Sequence, residues 1–267
     1  NWDALYQTNY AANDVVRNAN GIIGNDVRGR RSRYIVEDRI INTTKYNFNS
    51  TLNSAVSETI SFTAGVTYQS QNNHYYKEVD DLLGGEFYVD VNQFGERDFP
   101  ANPGAGQNDL NNPNRIVKEG DKFGYNYDLN IKKGSVWLQG VFKFRKIDLF
   151  VATEHSYTSF FRKGNVKTGL FPNNSFGKSE SQNFYNSGIK GGLTYKIDGR
   201  NYIFANGSYA SRAPFFENAF IAPRTRDITQ DNLKSEEILS TEVGYVMNAP
   251  KLKIRATGYY TQFKNGL

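Results

Sequence analysis

Several residue types are scarce in this 267-residue sequence, and each scarcity excludes a class of protein. Cysteine is absent, which excludes disulfide frameworks, thiolate zinc sites and cysteine nucleophiles together. Only two histidines are present, His74 and His155, so a histidine-rich metal site is not expected. No apolar run approaches the ~18 residues that indicate a membrane-spanning helix. Helical membrane proteins are therefore excluded as well.

Apolar residues make up only 38% of the chain without counting glycine, against about 45–50% in globular proteins with glycine counted, yet 15% of the residues are aromatic. Disordered chains contain few aromatic residues, so an ordered chain is expected. The formal net charge is +5, but no nucleic-acid recognition motif accompanies it, and no nucleic-acid partner is expected. The composition therefore favours an ordered protein with little recognisable chemistry.

Alternation of apolar and polar residues indicates β-strands, because successive side chains of a strand point to opposite faces. We predict eight such strands. The clear ones cover residues 59–70, 183–197, 235–247 and 252–262, and the weaker ones cover 34–52, 122–145, 149–159 and 201–209. In the segment 122–145 the apolar residues change from odd to even positions near Gly134. This predicts a turn or, as we prefer, a β-bulge at that glycine.

The connections between these strands alternate between short and long. Short connections are predicted near residues 53–58, 146–148, 198–200 and 248–251, and long ones at 77–121, 160–182 and 210–234. Asp198-Gly199 is a direct hairpin signal. Short turns at one end of a sheet and long loops at the other are typical of outer-membrane barrels. We therefore predict an all-β fold, an antiparallel up-and-down transmembrane β-barrel, with residues 1–33 as an extracellular loop region.

A soluble β-sandwich that binds glycans is the alternative, since its strands also carry one apolar face. Three features favour the barrel. The polar faces of the predicted strands carry charges such as Lys190 and Glu242, aromatic residues cluster towards strand ends, and several strands exceed the ~9–11 residues that cross a bilayer.

Three motifs near the end of the chain resemble TonB-dependent outer-membrane receptors. They are S-R-A-P-F-F-E at 211–217, N-L-K-S-E at 232–236 and E-V-G-Y at 242–245, followed by G-Y-Y at 258–260. Upstream, D-L-L-G-G at 81–85 and G-D-K-F-G-Y-N-Y at 120–127 are similar to the Bacteroidota receptors that carry a carboxypeptidase-like regulatory domain. The resemblance implies a barrel of about 22 strands with an N-terminal plug domain.

The eight predicted strands are too few for that barrel, and no plug or energy-coupling box is found. The sequence begins without a signal-peptide pattern, and we expect both of its ends to be cuts within a longer chain. We therefore expect an internal or C-terminal barrel segment. The resemblance implies energy-coupled import of a scarce nutrient, with outer-membrane lipid and a TonB-type energy-coupling protein as partners, the latter through a region outside this chain.

A non-transporting outer-membrane barrel is the alternative function, acting as a scaffold or docking partner for surface lipoproteins or a secretion assembly. Siderophore, glycan, peptide and vitamin substrates all stay open at this point. No enzyme is expected, because neither histidine lies in a catalytic motif and no phosphate-binding glycine motif is present.

Aromatic and basic residues in the long loops are the candidate ligand contacts, because aromatic side chains offer stacking area at low entropic cost. The candidates are Phe87, Tyr88, Phe94, Phe99, Phe215, Phe216, Arg224 and Arg226. For Phe87, Tyr88, Phe94 and Phe99, packing of the loop on itself is an equal alternative. For the 213–226 segment, structural anchoring by Pro214 and Pro223 is favoured.

Two further sites follow from charge. Arg28, Arg30, Arg31 and Arg33 precede the first predicted strand, and their guanidinium groups suit lipopolysaccharide phosphates; a solvated loop face is an equal alternative. The 77–121 loop is rich in Asp, Glu and Asn, which supply the oxygen ligands that Ca²⁺ prefers. No EF-hand pattern fits, so we expect no cofactor and keep Ca²⁺ as the minor alternative. No other metal site is expected.

Overall fold

A computed structural model describes residues 1–266, and they form a mostly β structure. The elements in chain order are α1 Trp2–Tyr10, β1 Asp14–Val16, a short 3-10 helix Ala19–Gly21, β2 Val27–Gly29, β3 Val36–Ala55, β4 Ile60–Asp81, β5 Tyr88–Val89, α2 Gln93–Asp98, β6 Ile116–Val117, β7 Lys122–Lys143, β8 Ile147–Gly164, β9 Gly177–Lys178, β10 Gln182–Lys196, β11 Asn201–Arg212, α3 Phe216–Ala219, β12 Glu236–Ala249 and β13 Leu252–Lys264. Across residues 1–266, no helix has the length and apolar character needed to cross a membrane.

Eight long strands form one antiparallel sheet in the order β3-β4-β7-β8-β10-β11-β12-β13, so each pairs with the next long strand of the chain. They contain between 12 residues, in β11, and 22 residues, in β4 and β7. The sheet does not close within the described residues, where β3 and β13 are its two edges. The predicted all-β, up-and-down architecture and all eight predicted strands are confirmed, as a segment of a barrel.

Short and long connections alternate as predicted. Short turns at 56–59, 144–146, 197–200 and 250–251 lie at one end of the sheet, and long loops at 82–121, 165–181 and 213–235 lie at the other. The 197–200 turn is closed by Asp198, whose carboxylate accepts hydrogen bonds from the backbone N–H groups of Arg200 (2.7 Å) and Asn201 (2.8 Å). The Arg200 N–H is the main group that lowers the pKa of Asp198.

The two faces of the sheet differ in character. One face, called the outer face, carries exposed apolar side chains near the short-turn end, among them Val66, Val136, Val151 and Ile189. The opposite, inner face carries polar and charged residues such as Lys190 and Lys196 at that end. This is the arrangement expected where one face meets lipid and the other meets a wet lumen.

The bulge predicted at Gly134 is wrong, and so is the alternative turn, because β7 pairs with β4 and β8 without any shift around this residue. The register shift between β4 and β7 instead falls between Tyr76 and Lys77, opposite Gly124, whose φ of +65° suits glycine.

The change of apolar parity in β7 has a different cause. Near the short turn the apolar residues are even-numbered and face outwards, as Val136 and Leu138 do. Near the long loops they are odd-numbered and face inwards, where Tyr127, Leu129 and Ile131 are buried against Phe220 of the third long loop. The strand therefore continues through Gly134 without a bulge. Its apolar environment is on the outer face near the short turn and on the inner face near the long loops.

The N-terminal region packs on the first long loop, 82–121. Val16 and Ala19 share a buried cluster with Phe87, Val89 and Val91 of that loop. Asn9, which is buried, donates its side-chain amide to the carbonyl oxygens of Tyr34 (2.9 Å) and Leu82 (3.0 Å). The segment before β3 thus forms a cap over the long-loop end of the sheet.

Candidate ligand-binding vestibule

Three loops meet above the inner face at the long-loop end. The first loop bonds to the second through the Leu110 N–H and the Lys167 carbonyl (2.7 Å). The second, 165–181, bonds to the third, 213–235, through the Asp227 N–H and the Asn174 carbonyl (2.9 Å). The three loops are therefore bonded to one another and form one layer over the sheet.

Arg162 of β8 anchors the second and third loops to the strand. Its side chain is only 1% exposed. The guanidinium donates Nε–H to the Pro223 carbonyl (2.6 Å) and Nη1–H to the Ser175 carbonyl (2.8 Å), and it lies 5.2 Å from the centre of the Tyr127 ring. A buried cation with charge-assisted hydrogen bonds of this kind holds loop backbone strongly.

A cavity of about 510 Å³, here called the vestibule, lies beneath this layer. Strands β3, β4 and β7 and all three long loops contribute to its lining. The lining side chains used below are Glu37, Arg39, Lys77, Tyr88, Phe94, Tyr125, Phe171 and Arg224. Its volume falls within the ~300–1,000 Å³ of small-molecule sites.

Basic groups dominate the charge of the vestibule. Arg33, Arg39, Lys77 and Arg224 line it, against one carboxylate, Glu37; Arg33 is paired with Asp14 outside the lining (3.0 Å), so Arg39, Lys77 and Arg224 are the cations that a ligand meets. Glu37 binds both Lys77 (2.7 Å) and Arg39 (2.9 Å). It lies at the long-loop end of β3, beyond the apolar band; burial raises its pKa, but the hydrogen bonds from Lys77 and Arg39 outweigh burial and the pKa is lowered. Glu37 is therefore charged at neutral pH, and the pair of cations around it keeps one positive charge in excess.

Aromatic rings lie beside these cations. The Arg224 guanidinium lies 5.3 Å from the Tyr125 ring centre, and the Lys77 ammonium lies 5.8 Å from the same ring. Arg226, which is outside the cavity lining, lies 4.7 Å from the centre of the Phe171 ring. The Nε atom of Arg226 is buried without a hydrogen-bond partner among the described residues. Burial raises the pKa of the Tyr88 phenol, so this hydroxyl stays protonated at neutral pH. The vestibule thus offers cations and aromatic faces together.

The predicted ligand contacts are distributed over several places. Tyr88, Phe94 and Arg224 line the vestibule, and Phe94 is 66% exposed. Phe87 lies inside the buried loop cluster at 3% exposure, so its side chain packs the loop on itself. Phe99 is exposed away from the cavity lining.

Phe215 and Phe216 lie at a separate inner-face cavity of about 450 Å³ beside β8 and β10. Phe216 also packs against the buried cluster around Tyr127. Phe215 is exposed, and the Arg212 guanidinium lies 5.4 Å from the centre of the Phe215 ring. The two phenylalanines therefore do not join the vestibule residues in one site.

The four arginines before β3 also separate. Arg30 pairs with Glu86 (3.2 Å) and Arg33 with Asp14 (3.0 Å), so both hold the N-terminal cap together. Arg28 is exposed on β2, and Arg31 forms an isolated backbone bridge with Phe87. Contact with lipopolysaccharide stays a prediction for this group.

The acidic residues of the first loop are engaged mainly with cations and amides. Asp90, which is buried, pairs with Arg115 (3.2 Å) and accepts from the Asn108 amide (2.8 Å). Asp98 pairs with Arg97 (2.6 Å). Within residues 1–266, no three His, Asp or Glu side chains come together in a group that could hold a metal ion.

Sequence reasoning missed the strand residues of the vestibule, Glu37, Arg39, Lys77 and Tyr125, and the anchor Arg162. Charged residues at strand ends are ordinary in a barrel, so nothing in the pattern marks the four charged residues. Tyr125 lies inside the 120–127 motif, but that motif indicated a family and not a ligand contact. A partial signal exists in the register: Arg39 and Lys77 lie opposite each other on paired strands, where like charges need a partner such as Glu37.

Long antiparallel strands with an apolar outer face, a polar inner face and loops at one end define a segment of a transmembrane β-barrel. Residues 1–267 match the family described as TonB dependent receptor-like, beta-barrel, and this chain belongs to that family. Proteins of this family reside in the bacterial outer membrane, which is accordingly the location of the protein that contains this chain.

Solved structures agree on the fold. The copper transporter OprC superposes with a TM-score of 0.54 at 9% identity, covering 84% of this chain and 32% of that one. The unliganded ferric citrate transporter FecA gives 0.50 at 7% identity, covering 89% of this chain and 30% of that one. This chain therefore spans about a third of the length of these structures. No curated protein matches the sequence.

Proposed function

We propose that this chain forms part of the barrel of an outer-membrane importer, and that the vestibule captures an anionic nutrient before energy-coupled uptake. The observation that carries the proposal is the vestibule itself, where four basic side chains and one acidic side chain line a cavity beneath three interlocked loops. The cations are positioned for an anion, since guanidinium groups bind carboxylate and phosphate oxygens in pairs. The adjacent Tyr125, Phe94 and Phe171 rings suit a planar or aromatic portion of the same ligand.

The energy for uptake is proposed to come from a TonB-type protein that contacts a region of the receptor outside this chain. The family supports this partner only in general terms. A receptor of the Bacteroidota type with a regulatory domain, suggested by the motifs at 81–85 and 120–127, is part of the same proposal.

The binding test uses the full-length receptor that contains this chain. Purified receptor is titrated with a panel of anionic metal chelates, with ferric citrate as the reference member, and with neutral oligosaccharides of similar size. We expect an anionic compound to bind and the double variant Arg39→Gln/Arg224→Gln to bind it at least about tenfold more weakly, because each charge-assisted hydrogen bond contributes ~1.5–3 kcal/mol. Arg17→Gln removes an exposed cation of the N-terminal cap that does not line the vestibule, and it should leave binding unchanged.

Binding of neutral oligosaccharides alone, or equal affinity of the double variant and the wild type, would show that the vestibule is not an anion site. The transport part is tested separately. Accumulation of the bound compound in the periplasm should stop when the TonB-type protein is deleted. Unchanged accumulation, or binding without any accumulation, would favour the scaffold that docks a surface lipoprotein.

A further inference from the structure

A shallow groove lies on the outer face where a glycine interrupts a row of aromatic side chains. Phe48, Tyr68, Gly134, Tyr157 and Tyr185 are successive cross-strand partners on strands β3, β4, β7, β8 and β10. Gly134 has no side chain, and an added Cβ would meet only a backbone oxygen, at 3.9 Å. The row is therefore open at its centre.

The groove has a cavity volume of about 590 Å³. Gly134 forms its floor, and Val66, Val136, His155, Tyr157 and Tyr185 line it. Tyr157 and Tyr185 form one wall as a ring pair with centres 4.9 Å apart, and the Tyr157 hydroxyl donates to Asn183 (2.8 Å). The lining is mainly apolar, and it faces the side of the sheet that meets lipid.

Three lysines lie on the same face between this groove and the long loops. Lys132 is two residues from Gly134 on β7 and is exposed. Lys163 of β8 pairs directly with Lys178 of β9, and the Lys178 ammonium lies 4.3 Å from the centre of the outward-facing Phe161 ring. An apolar slot below and a group of ammonium ions above match a lipid whose acyl chain enters the bilayer and whose phosphate lies at its surface.

Nearby carboxylates do not cancel this charge. Asp128 is the cross-strand partner of Lys163, and its carboxylate accepts a hydrogen bond from the Asn165 amide (2.8 Å). Glu180 is exposed two residues after Lys178. Three cations therefore face two carboxylates, which leaves one positive charge in excess.

We propose that this groove binds one phosphorylated lipid of the outer leaflet, with an acyl chain over Gly134 and its phosphate groups at Lys132 and at the Lys163–Lys178 pair. The site is separate from the vestibule, which lies on the inner face. The proposed lipid site can therefore be tested independently of the proposed import function.

The experiment measures lipid retained by the full-length receptor in detergent, using native mass spectrometry with bisphosphorylated lipid A and dephosphorylated lipid A as probes. We expect one lipid A per receptor and at least about tenfold preference for the phosphorylated form. Gly134→Phe should weaken retention of both forms, because the ring fills the groove. Lys132→Ala/Lys163→Ala/Lys178→Ala should remove the preference for phosphate and leave the dephosphorylated form unaffected.

Two matched controls separate this site from general effects on the barrel. Gly207→Phe places the same ring at another outward-facing glycine with open space, and Lys146→Ala removes a lysine at the opposite end of the sheet. Both should behave as wild type. Unchanged retention in Gly134→Phe, a phosphate preference that survives the triple substitution, or displacement of lipid A by inorganic phosphate alone would overturn the proposal.

Discussion

Arg162 shows how a single residue shapes the vestibule without lining it. Its guanidinium binds the Pro223 and Ser175 carbonyls, one residue from Arg224 and within the loop that carries Phe171. Because the arginine is buried, water cannot replace these bonds. The position of the Arg224 cation and the Phe171 ring therefore depends on a residue in the wall of the barrel.

Replacing Arg162 with methionine should release both loops while preserving the side-chain volume. The change removes the donor from the buried Ser175 carbonyl, at a cost of ~1–3 kcal/mol, and from the partly buried Pro223 carbonyl, which water can reach more easily. We expect faster proteolysis and faster amide exchange within 165–181 and 213–235 of the full-length receptor, with the strands unaffected. Arg145→Met, at an exposed arginine in a short turn, is the control. Equal loop protection in Arg162→Met and wild type would mean that the loop-to-loop bonds suffice without the arginine.

At the scale of the strands, inner-face glycines are paired with aromatic rings. Gly65 lies opposite Trp137, Gly192 opposite Phe150 and Gly244 opposite Phe204. In each pair the ring lies over the glycine; an added Cβ at Gly65 would be 2.6 Å from the Trp137 ring. The ring covers backbone that the glycine leaves open and stabilises the register of the two strands. The glycines are therefore packing positions rather than points of flexibility.

Valine at Gly65 or Gly244 should destabilise the barrel by ~1–3 kcal/mol, because the ring of Trp137 or Phe204 must leave its place. The urea midpoint of the full-length receptor in detergent should fall accordingly. Gly207→Val is the control, since a Cβ there meets nothing within 4 Å on the outward-facing side of β11. A similar fall in all three variants would show that the loss of glycine itself matters, and not the ring above it.

The whole segment has a direction, because all the long loops lie at one end of the sheet. In barrels of this kind the longer loops are extracellular and the short turns periplasmic. The exposed Asn102 in the first loop and Asp198-Gly199 in a short turn provide sites for testing this orientation.

A protease site inserted after Asn102 of the full-length receptor should be cut in intact cells, and one inserted between Asp198 and Gly199 should be cut only after the outer membrane is opened. Immunoblotting of the fragments gives the result. The opposite pattern would invert the orientation, place the vestibule in the periplasm and remove the basis for ligand capture from outside.

Sequence by itself determined the strands, their order and the contrast between short turns and long loops. These features depend on period-two alternation and on local turn chemistry, such as that of Asp198, and both are carried by residues adjacent in the chain. It also determined the family, through motifs that combine strand and loop residues between 211 and 260.

Only the tertiary structure decided which residues share the vestibule. Glu37, Lys77, Tyr125 and Arg224 come from distant parts of the chain and meet because the register of β3, β4 and β7 and the anchoring of the third loop bring them together. The wrong prediction at Gly134 also has a tertiary cause. Alternation shows which residues are apolar, but it does not show whether the apolar environment is on the outer or the inner face of the sheet. Near the short turn, the apolar environment of β7 is the lipid on the outer face; near the long loops, it is the packed loops on the inner face. The second environment forms only when the loops fold over the sheet.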